Sequence, residues 1–172
     1  MKRFLILAIS VALMTAACSD DDPVSPSATA PTFTTQLLPT NEVPPVTNAD
    51  ASASGNVSVV LHVTRDGAQN ITSATADFTV VMSGFPPNTS LTGAHIHNAR
   101  AGQNSGIVVN TGIALGDIVL PNGSGRFDRN GIIVTNLAVA QSLLNDPAGF
   151  YFNVHTTLNL GGAIRGQLNR IQ

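Results

Sequence analysis

The stretch SGNVSVVLHVT, residues 54–64, decides the fold, together with ITSATADFTVVMSG, residues 71–84. In both stretches apolar residues recur at every second position, which is the period of a β-strand with one buried face. The intervening TRDGAQN contains Asp-Gly, a pair typical of hairpin turns. The two stretches therefore predict a long antiparallel hairpin. Its inward residues would be Val57, Val59, Leu61 and Val63 on the first strand and Ala74, Ala76, Phe78, Val80 and Met82 on the second.

Shorter stretches beyond the hairpin also indicate strands joined by turns. They are the strand around HIH (95–97), IVVN (107–110), GIALGDIVL (112–120), GSGRFDRNGIIV (123–134), FYFNVHT (150–156) and AIRGQLNR (163–170). TNLAVAQSLLND (135–146) predicts one short helix, with Thr135 or Asn136 as its cap, Leu137, Ala140 and Leu144 on its buried face, and Pro147 beyond its end. Many short strands with one helix predict an all-β antiparallel sandwich.

The N-terminus predicts export and a lipid anchor. Lys2 and Arg3 precede the apolar run 4–14 and the small residues TAAC, an order typical of an export signal and too short to span a bilayer. Cys18 is the only cysteine, and its position resembles that of the lipidated cysteine in bacterial lipoproteins. The expectation is a signal over 1–17 and a lipid on Cys18. The alternative is an ordinary secretory signal with an incidental cysteine.

Residues 18–31 predict a disordered tether ahead of a single domain over 32–172. The tether is acidic and rich in proline, serine and threonine, so it cannot bury enough apolar surface to offset its ordering entropy. Its SDDD resembles a signal that directs lipoproteins to the outer cell surface, although a solvated charge run explains it equally well. The predicted location is the cell envelope. The lipid would lie in a membrane, and the outer membrane is the preferred one.

Composition excludes several classes of function. Loss of Lys2 and Arg3 with the signal would leave six of the eight basic residues against ten acidic ones, which argues against a nucleic-acid partner. The remaining chain has no lysine, which excludes Schiff-base chemistry and a P-loop. There is no Gly-x-Ser-x-Gly motif either. The sequence therefore leans away from an enzyme.

The HIH stretch places His95 and His97 on one face of a strand. In FYFNVHT, Phe150, Phe152 and Val154 alternate with Tyr151, Asn153 and His155, so His155 faces away from the core. If the two strands are neighbours, three neutral imidazoles converge and could hold zinc or copper, with water or an external ligand in the fourth position. Such a site needs nitrogen atoms within about 3 to 4 Å of one another, and its binding would weaken below about pH 6. The alternatives are a purely structural role, with the histidines hydrogen-bonded to backbone, Asn153 or Glu42, and a site for some other ligand.

Three motifs in order resemble the chordin-domain (CHRD) family, which occurs in bacterial exported proteins and in animal chordin. They are NEVPPV (41–46), AHIHNARAGQNSGIVV (94–109) and YFNVHTTLNLGGAIRGQL (151–168). The resemblance implies an immunoglobulin-like sandwich, distantly similar to copper/zinc superoxide dismutase. This chain departs from the family at Asn98, where glycine is usual, and at Leu160 and Ala163, where proline and glutamate are common. The missing glutamate removes one expected partner of Arg165.

The similarity to superoxide dismutase is weaker. His95, His97, Val154-His155 and the glycine-rich segment with Arg165 match parts of that enzyme's pattern, but its disulfide cysteines and zinc loop are missing. Only His62 remains as a further imidazole. Dismutase activity is therefore not expected.

Glu42, Asn153 and Arg165 are predicted to be structural or binding residues. Arg165 would brace Glu42 or a loop carbonyl, and the prolines of NEVPPV suggest that this segment runs along a sheet edge. Two functions follow: a non-enzymatic, membrane-anchored module that binds an unknown protein or extracellular ligand, or a zinc- or copper-binding protein.

Overall fold

The structure is a computed structural model that describes residues 30–172. The predicted signal, Cys18, the acidic run and the tether up to residue 29 lie outside the described residues. The first strand begins at Thr32, where the domain was predicted to begin.

The described part of the chain has ten strands, one α-helix and three short 3-10 helices. The strands are β1 (Thr32–Leu37), β2 (Ser54–Arg65), β3 (Ile71–Ser83), β4 (Thr89–His97), β5 (Ile107–Asn110), β6 (Val119–Leu120), β7 (Gly125–Ile133), β8 (Tyr151–Thr156), β9 (Ile164–Gln167) and β10 (Asn169–Arg170). The helix is α1 (Leu137–Asn145), and the 3-10 helices are Pro39–Asn41, Ala49–Ser52 and Pro147–Gly149.

The predicted hairpin is confirmed as β2 and β3. Val57 lies opposite Val80 and Val59 opposite Phe78, so the apolar sets of both strands share one face. The Asp66 carboxylate closes the turn because it accepts hydrogen bonds from the backbone of Ala68 and Asn70. The hairpin forms the centre of the first sheet, whose strand order is β10-β1-β2-β3-β7.

The second sheet has the order β5-β4-β8-β9, and β6 pairs with the start of β4. The predicted strand over 112–120 is wrong for most of its length, because only Val119–Leu120 pair and a turn precedes them. The two sheets meet at one edge, where Leu38 bridges to Arg165. A Cβ on Gly166 would lie only 2.2 Å from the Gln36 carbonyl oxygen, so this close crossing requires a glycine.

The core lies between the two sheets, which confirms the predicted all-β antiparallel sandwich. The rings of Phe78 and Phe152 meet across it at 5.8 Å between centroids. Val63 is only partly buried at the margin of the core. No helix among residues 30–172 has the length and apolar character needed to cross a membrane.

The single predicted helix is confirmed as α1. Asn136 caps it, since its side chain accepts a hydrogen bond from the Ala138 backbone at 3.0 Å. Ala140 and Leu143 are buried, whereas Leu137 and Leu144, which were predicted on the buried face, are only partly buried.

The NEVPPV segment forms no strand. It follows the bridge between Leu38 and Arg165, and the Asn41 amide donates to the Arg165 carbonyl at 3.0 Å. The segment therefore begins at a sheet edge, although it was predicted to run along one. It then contacts the loop after β4, where the Asn104 amide donates to the Val43 carbonyl at 2.8 Å.

Candidate metal centre

The outward face of the second sheet carries polar side chains that are largely buried. Alternation along β4, β8 and β9 directs Ile96, Phe152 and Ile164 into the core and the intervening residues outward. We call this outward surface the polar face; its residues are His95, His97, Tyr151, Asn153, His155, Arg165 and Gln167.

The polar face brings the three predicted histidines together. One ring nitrogen from each of His95, His97 and His155 lies within 4.8 Å of the others, a wider spacing than the predicted limit of about 3 to 4 Å. The ring of His95 is 4.9 Å from that of His155 and 5.8 Å from that of His97, measured between centroids. The pairing of β4 with β8 causes this, because His95 lies opposite Asn153 and Gly93 opposite His155.

Backbone carbonyls fix two of the rings. His97 Nδ1 donates to the Ser105 carbonyl at 2.9 Å, and His155 Nδ1 donates to the Leu160 carbonyl at 2.8 Å. A carbonyl oxygen can only accept, so Nδ1 carries the hydrogen in both rings. The Nε2 atom of each neutral ring therefore keeps its lone pair, and both Nε2 atoms contact Asn153 Oδ1, at 3.1 and 3.0 Å.

His95 is held differently, by packing. Its ring lies over Gly93, where an added Cβ would come within 2.6 Å of the ring carbon Cε1. Its Nδ1 atom is buried without a hydrogen-bond partner. Buried polar atoms are nearly always satisfied in proteins, so an unpartnered imidazole nitrogen beside two other imidazoles indicates a place for a ligand.

Burial keeps the three rings neutral at physiological pH. It lowers the pKa of His95 to about 4, with further lowering by the charges that His155 and His97 would carry. Burial also lowers the pKa of His97 and of His155 below the ordinary value, although their carbonyl partners oppose the shift. Neutral imidazoles are the form that binds metal ions.

Arg165 binds the glycine-rich loop and not Glu42. Its side chain is fully buried, and it donates to Asn104 Oδ1 and to the Gln103 carbonyl, both at 2.9 Å. Its guanidinium also lies 3.9 Å from the centre of the Tyr151 ring. Of the two predicted roles for Arg165, the structure therefore supports the bracing of a loop carbonyl.

Tyr151 is a site residue that the sequence reasoning missed. Its ring stacks on the His97 ring at 4.7 Å, with an interplanar angle of 4°. Since β4 and β9 flank β8, Tyr151 joins His97 to Arg165. The signal was present in the sequence, because Tyr151 alternates onto the same face as Asn153 and His155. Gly93 was missed as well, and its position two residues before His95 is the corresponding signal.

Glu42 is the only glutamate of the chain and is 5% exposed. Burial raises the pKa of its carboxyl to about 7, and the charge of Arg165 and a hydrogen bond with the Asn153 side chain oppose the shift. The carboxyl group packs against Gly162, which has a φ of 134° and leaves no room for a Cβ. Glu42 Oε1 has no hydrogen-bond partner among the described residues.

His62 lies apart from the three histidines. It faces outward from the first sheet, with its side chain 48% exposed and its Nε2 atom 2.9 Å from Asp77 Oδ2. The structure therefore places the fourth histidine in a surface pair.

A family model described as the CHRD domain matches residues 33–168. The match confirms the family resemblance that the three motifs predicted, and it covers every residue of the polar face. No curated protein and no solved structure matches the chain.

Proposed function

The chain belongs to the CHRD-domain family, and we propose that this member is a non-enzymatic, envelope-anchored module that binds zinc or copper. The ligands would be His95, His97 and His155. The observation that carries the proposal is the convergence of three neutral imidazoles, one of which has a buried nitrogen without a partner.

The arrangement around the histidines supports metal binding. Metal-ligating histidines usually donate their second ring nitrogen to a carbonyl or carboxylate, which orients the ring. His97 and His155 do so toward Ser105 and Leu160. Bonds of about 2 Å to one ion place tetrahedral ligands about 3.3 Å apart. From a spacing within 4.8 Å, the rings would move inward by about 1 Å or less on binding.

The burial of Arg165 argues against dismutase-like chemistry. A guanidinium that guides an anionic substrate must be accessible, whereas this one is 1% exposed and is bound to Gln103 and Asn104. Its contacts favour a role in holding the loop over the polar face.

A metal titration of the purified full-length protein tests the proposal. The wild type is expected to bind one zinc or copper ion at neutral pH, and His95→Ala is expected to weaken binding at least about 100-fold. The His95 ring fixes no loop by a hydrogen bond, and its buried Nδ1 has no partner, so this variant removes a ligand without detaching a loop. His62→Ala, on the other sheet, is the matched control and should bind as the wild type does. Absence of binding to the wild type would refute the proposal.

Contact with a partner protein is a second candidate function. Leu158 and Leu160, in the loop between β8 and β9, are 52% and 72% exposed, and exposed leucines in a loop favour an interaction surface. The double change Leu158→Ser and Leu160→Ser should reduce attachment of expressing cells to a protein-coated surface and leave metal binding intact. Unchanged attachment would count against this function.

The anchor is a separate part of the proposal. Cys18 lies outside the described residues, and its role rests on the sequence pattern alone. Cys18→Ser is expected to move the protein from the membrane fraction to the soluble fraction. Equal partitioning of variant and wild type would remove the lipid anchor from the proposal.

A further inference from the structure

We infer that Asn153 is the fourth ligand of the ion, through its side-chain oxygen, and that this closed tetrahedral set of three nitrogens and one oxygen suits Zn²⁺. The inference rests on the proposed function. It replaces the water or external ligand that the sequence suggested for the fourth position.

The position of the amide is the first argument. Asn153 Oδ1 lies 3.1 Å from His97 Nε2 and 3.0 Å from His155 Nε2. Ligand atoms at about 2.0 to 2.1 Å from a tetrahedral ion are separated by about 3.3 Å. The oxygen is therefore already within a few tenths of an ångström of the spacing that a shared ion would require.

The hydrogens provide the second argument. The Nδ1 hydrogens of His97 and His155 point to backbone carbonyls, so neither Nε2 atom has a hydrogen when the rings are neutral. An amide oxygen has none either. Three lone pairs thus meet with no hydrogen between them, which is unfavourable until a cation lies among them.

Glu42 provides the third argument, because its ionised form favours one orientation of the amide. Rotating the amide by half a turn would let its nitrogen donate to both histidines. The same rotation would turn Oδ1 toward the Glu42 carboxyl group, whose pKa the Asn153 side chain lowers. In its ionised form, which predominates above about pH 7, the carboxylate accepts from the amide nitrogen and repels the oxygen. Ionised Glu42 therefore favours the orientation with Oδ1 toward the histidines.

The donor set indicates the metal. Imidazole nitrogens suit several transition metals, and thiolate or thioether ligands, which select Cu(I), do not occur on the polar face. Four protein ligands in a tetrahedral arrangement are typical of structural zinc. An ion held in this way has no open position for a substrate, which agrees with binding and not turnover.

Zinc affinities of four full-length proteins test the inference. Asn153→Leu removes the oxygen and is expected to weaken zinc binding at least about tenfold. Asn153→Asp supplies a charged oxygen at the same place and is expected to strengthen binding about tenfold. Asn56→Asp, which adds the same charge on the exposed side of β2, should bind as the wild type does. Circular dichroism verifies that each variant folds. If Asn153→Leu does not fold, the affinity of Asn153→Asp alone tests the inference.

A crystal structure of the zinc-loaded protein is the direct test. The expected result is Asn153 Oδ1 within about 2.2 Å of the ion. A water in that position, with equal affinities for all Asn153 variants, would overturn the inference while leaving the three-histidine site. Failure of the wild type to bind zinc would overturn both.

Discussion

The outward faces of the two sheets accommodate their polar and charged side chains in different ways. On the first sheet, charged side chains stay in solvent and pair with one another. His62 contacts Asp77 at 2.9 Å, and Arg126 contacts Asp128 at 2.7 Å, with every partner more than a third exposed. On the second sheet, imidazoles, an amide and a guanidinium are covered.

Three segments provide the cover. The loop over 98–106 contributes the Ser105 and Gln103 carbonyls, the loop between β8 and β9 contributes the Leu160 carbonyl, and the NEVPPV segment contributes Glu42. A histidine that alternates out of the core is therefore exposed or buried according to what covers its strand. The covering segments therefore explain why burial lowers the pKa of the three histidines on the second sheet.

Removal of the buried Arg165 guanidinium, which holds the covering loop, should have the largest effect on stability. Arg165→Ala loses two hydrogen bonds from a charged donor, each worth about 1.5 to 3 kcal/mol, and the contact with Tyr151. We expect the free energy of unfolding in urea to fall by about 3 kcal/mol or more. Arg126→Ala, on the exposed face, should change it much less, because its ion pair is screened by solvent. Equal effects of the two changes would show that the cover is not held by Arg165.

Removal of the buried carboxyl should stabilise the protein at alkaline pH. The folded pKa of Glu42, about 7, exceeds its ordinary value of 4.5, so the wild type loses stability as pH rises through this window. Glu42→Gln cannot ionise, and its advantage over the wild type should grow from pH 4.5 to pH 7 and reach about 3 kcal/mol at pH 8. Denaturation at several pH values measures it.

Asp66→Asn, in the exposed hairpin turn, is the opposite case. Hydrogen bonds from Asn70 lower the pKa of Asp66, so this variant should be no more stable than the wild type at pH 8. A gain in stability for both amide variants would show that net charge, and not burial, is responsible.

A methyl group beneath His95 should weaken metal binding about tenfold. Gly93→Ala would place a Cβ within 2.6 Å of His95 Cε1 and push the ring away from His155. Calorimetry with zinc measures the change. Gly67→Ala, in the hairpin turn, meets no atom within 4 Å and should bind normally. Normal binding by Gly93→Ala would show that the position of His95 is not critical.

The smallest expected effect is that of mild acid on zinc affinity. Three histidines with the ordinary pKa of about 6.5 would lose about eightfold in affinity between pH 8 and pH 6.5. Because the pKa values of all three are lowered, we expect a loss of about twofold or less, followed by a steeper loss toward pH 4. An eightfold loss at pH 6.5 would mean that the cluster is open to solvent.

The sequence predicted the parts of the molecule that depend on local alternation. Residues 54–84 gave the hairpin, and alternation in 150–156 placed Asn153 and His155 away from the core. The strand pairing that brings His155 beside HIH was only an assumption, since register between distant strands is not encoded locally. The predicted strand over 112–120 was wrong because its glycines and Asp117, which accepts a hydrogen bond from Ala114, favour a turn.

Burial of the polar face was harder to predict. Loops rich in glycine and asparagine are expected to be exposed, and most residues of 98–106 are indeed exposed. Their carbonyls nevertheless point inward to His97 and Arg165. Tertiary contacts of this kind leave no periodic pattern in the sequence. The sequence could therefore propose that Arg165 braces either Glu42 or a loop carbonyl, but it could not decide between the two.

The contact between Tyr151 and His97 gives the protein an optical reporter. The chain has one tyrosine and no tryptophan, so its tyrosine emission comes from a single ring. That ring stacks on an imidazole of the cluster at 4.7 Å and faces a guanidinium at 3.9 Å. Light absorbed near 280 nm therefore excites the molecule at the polar face. An ion with an open d shell bound there would quench this emission, and one with a filled shell would leave it bright.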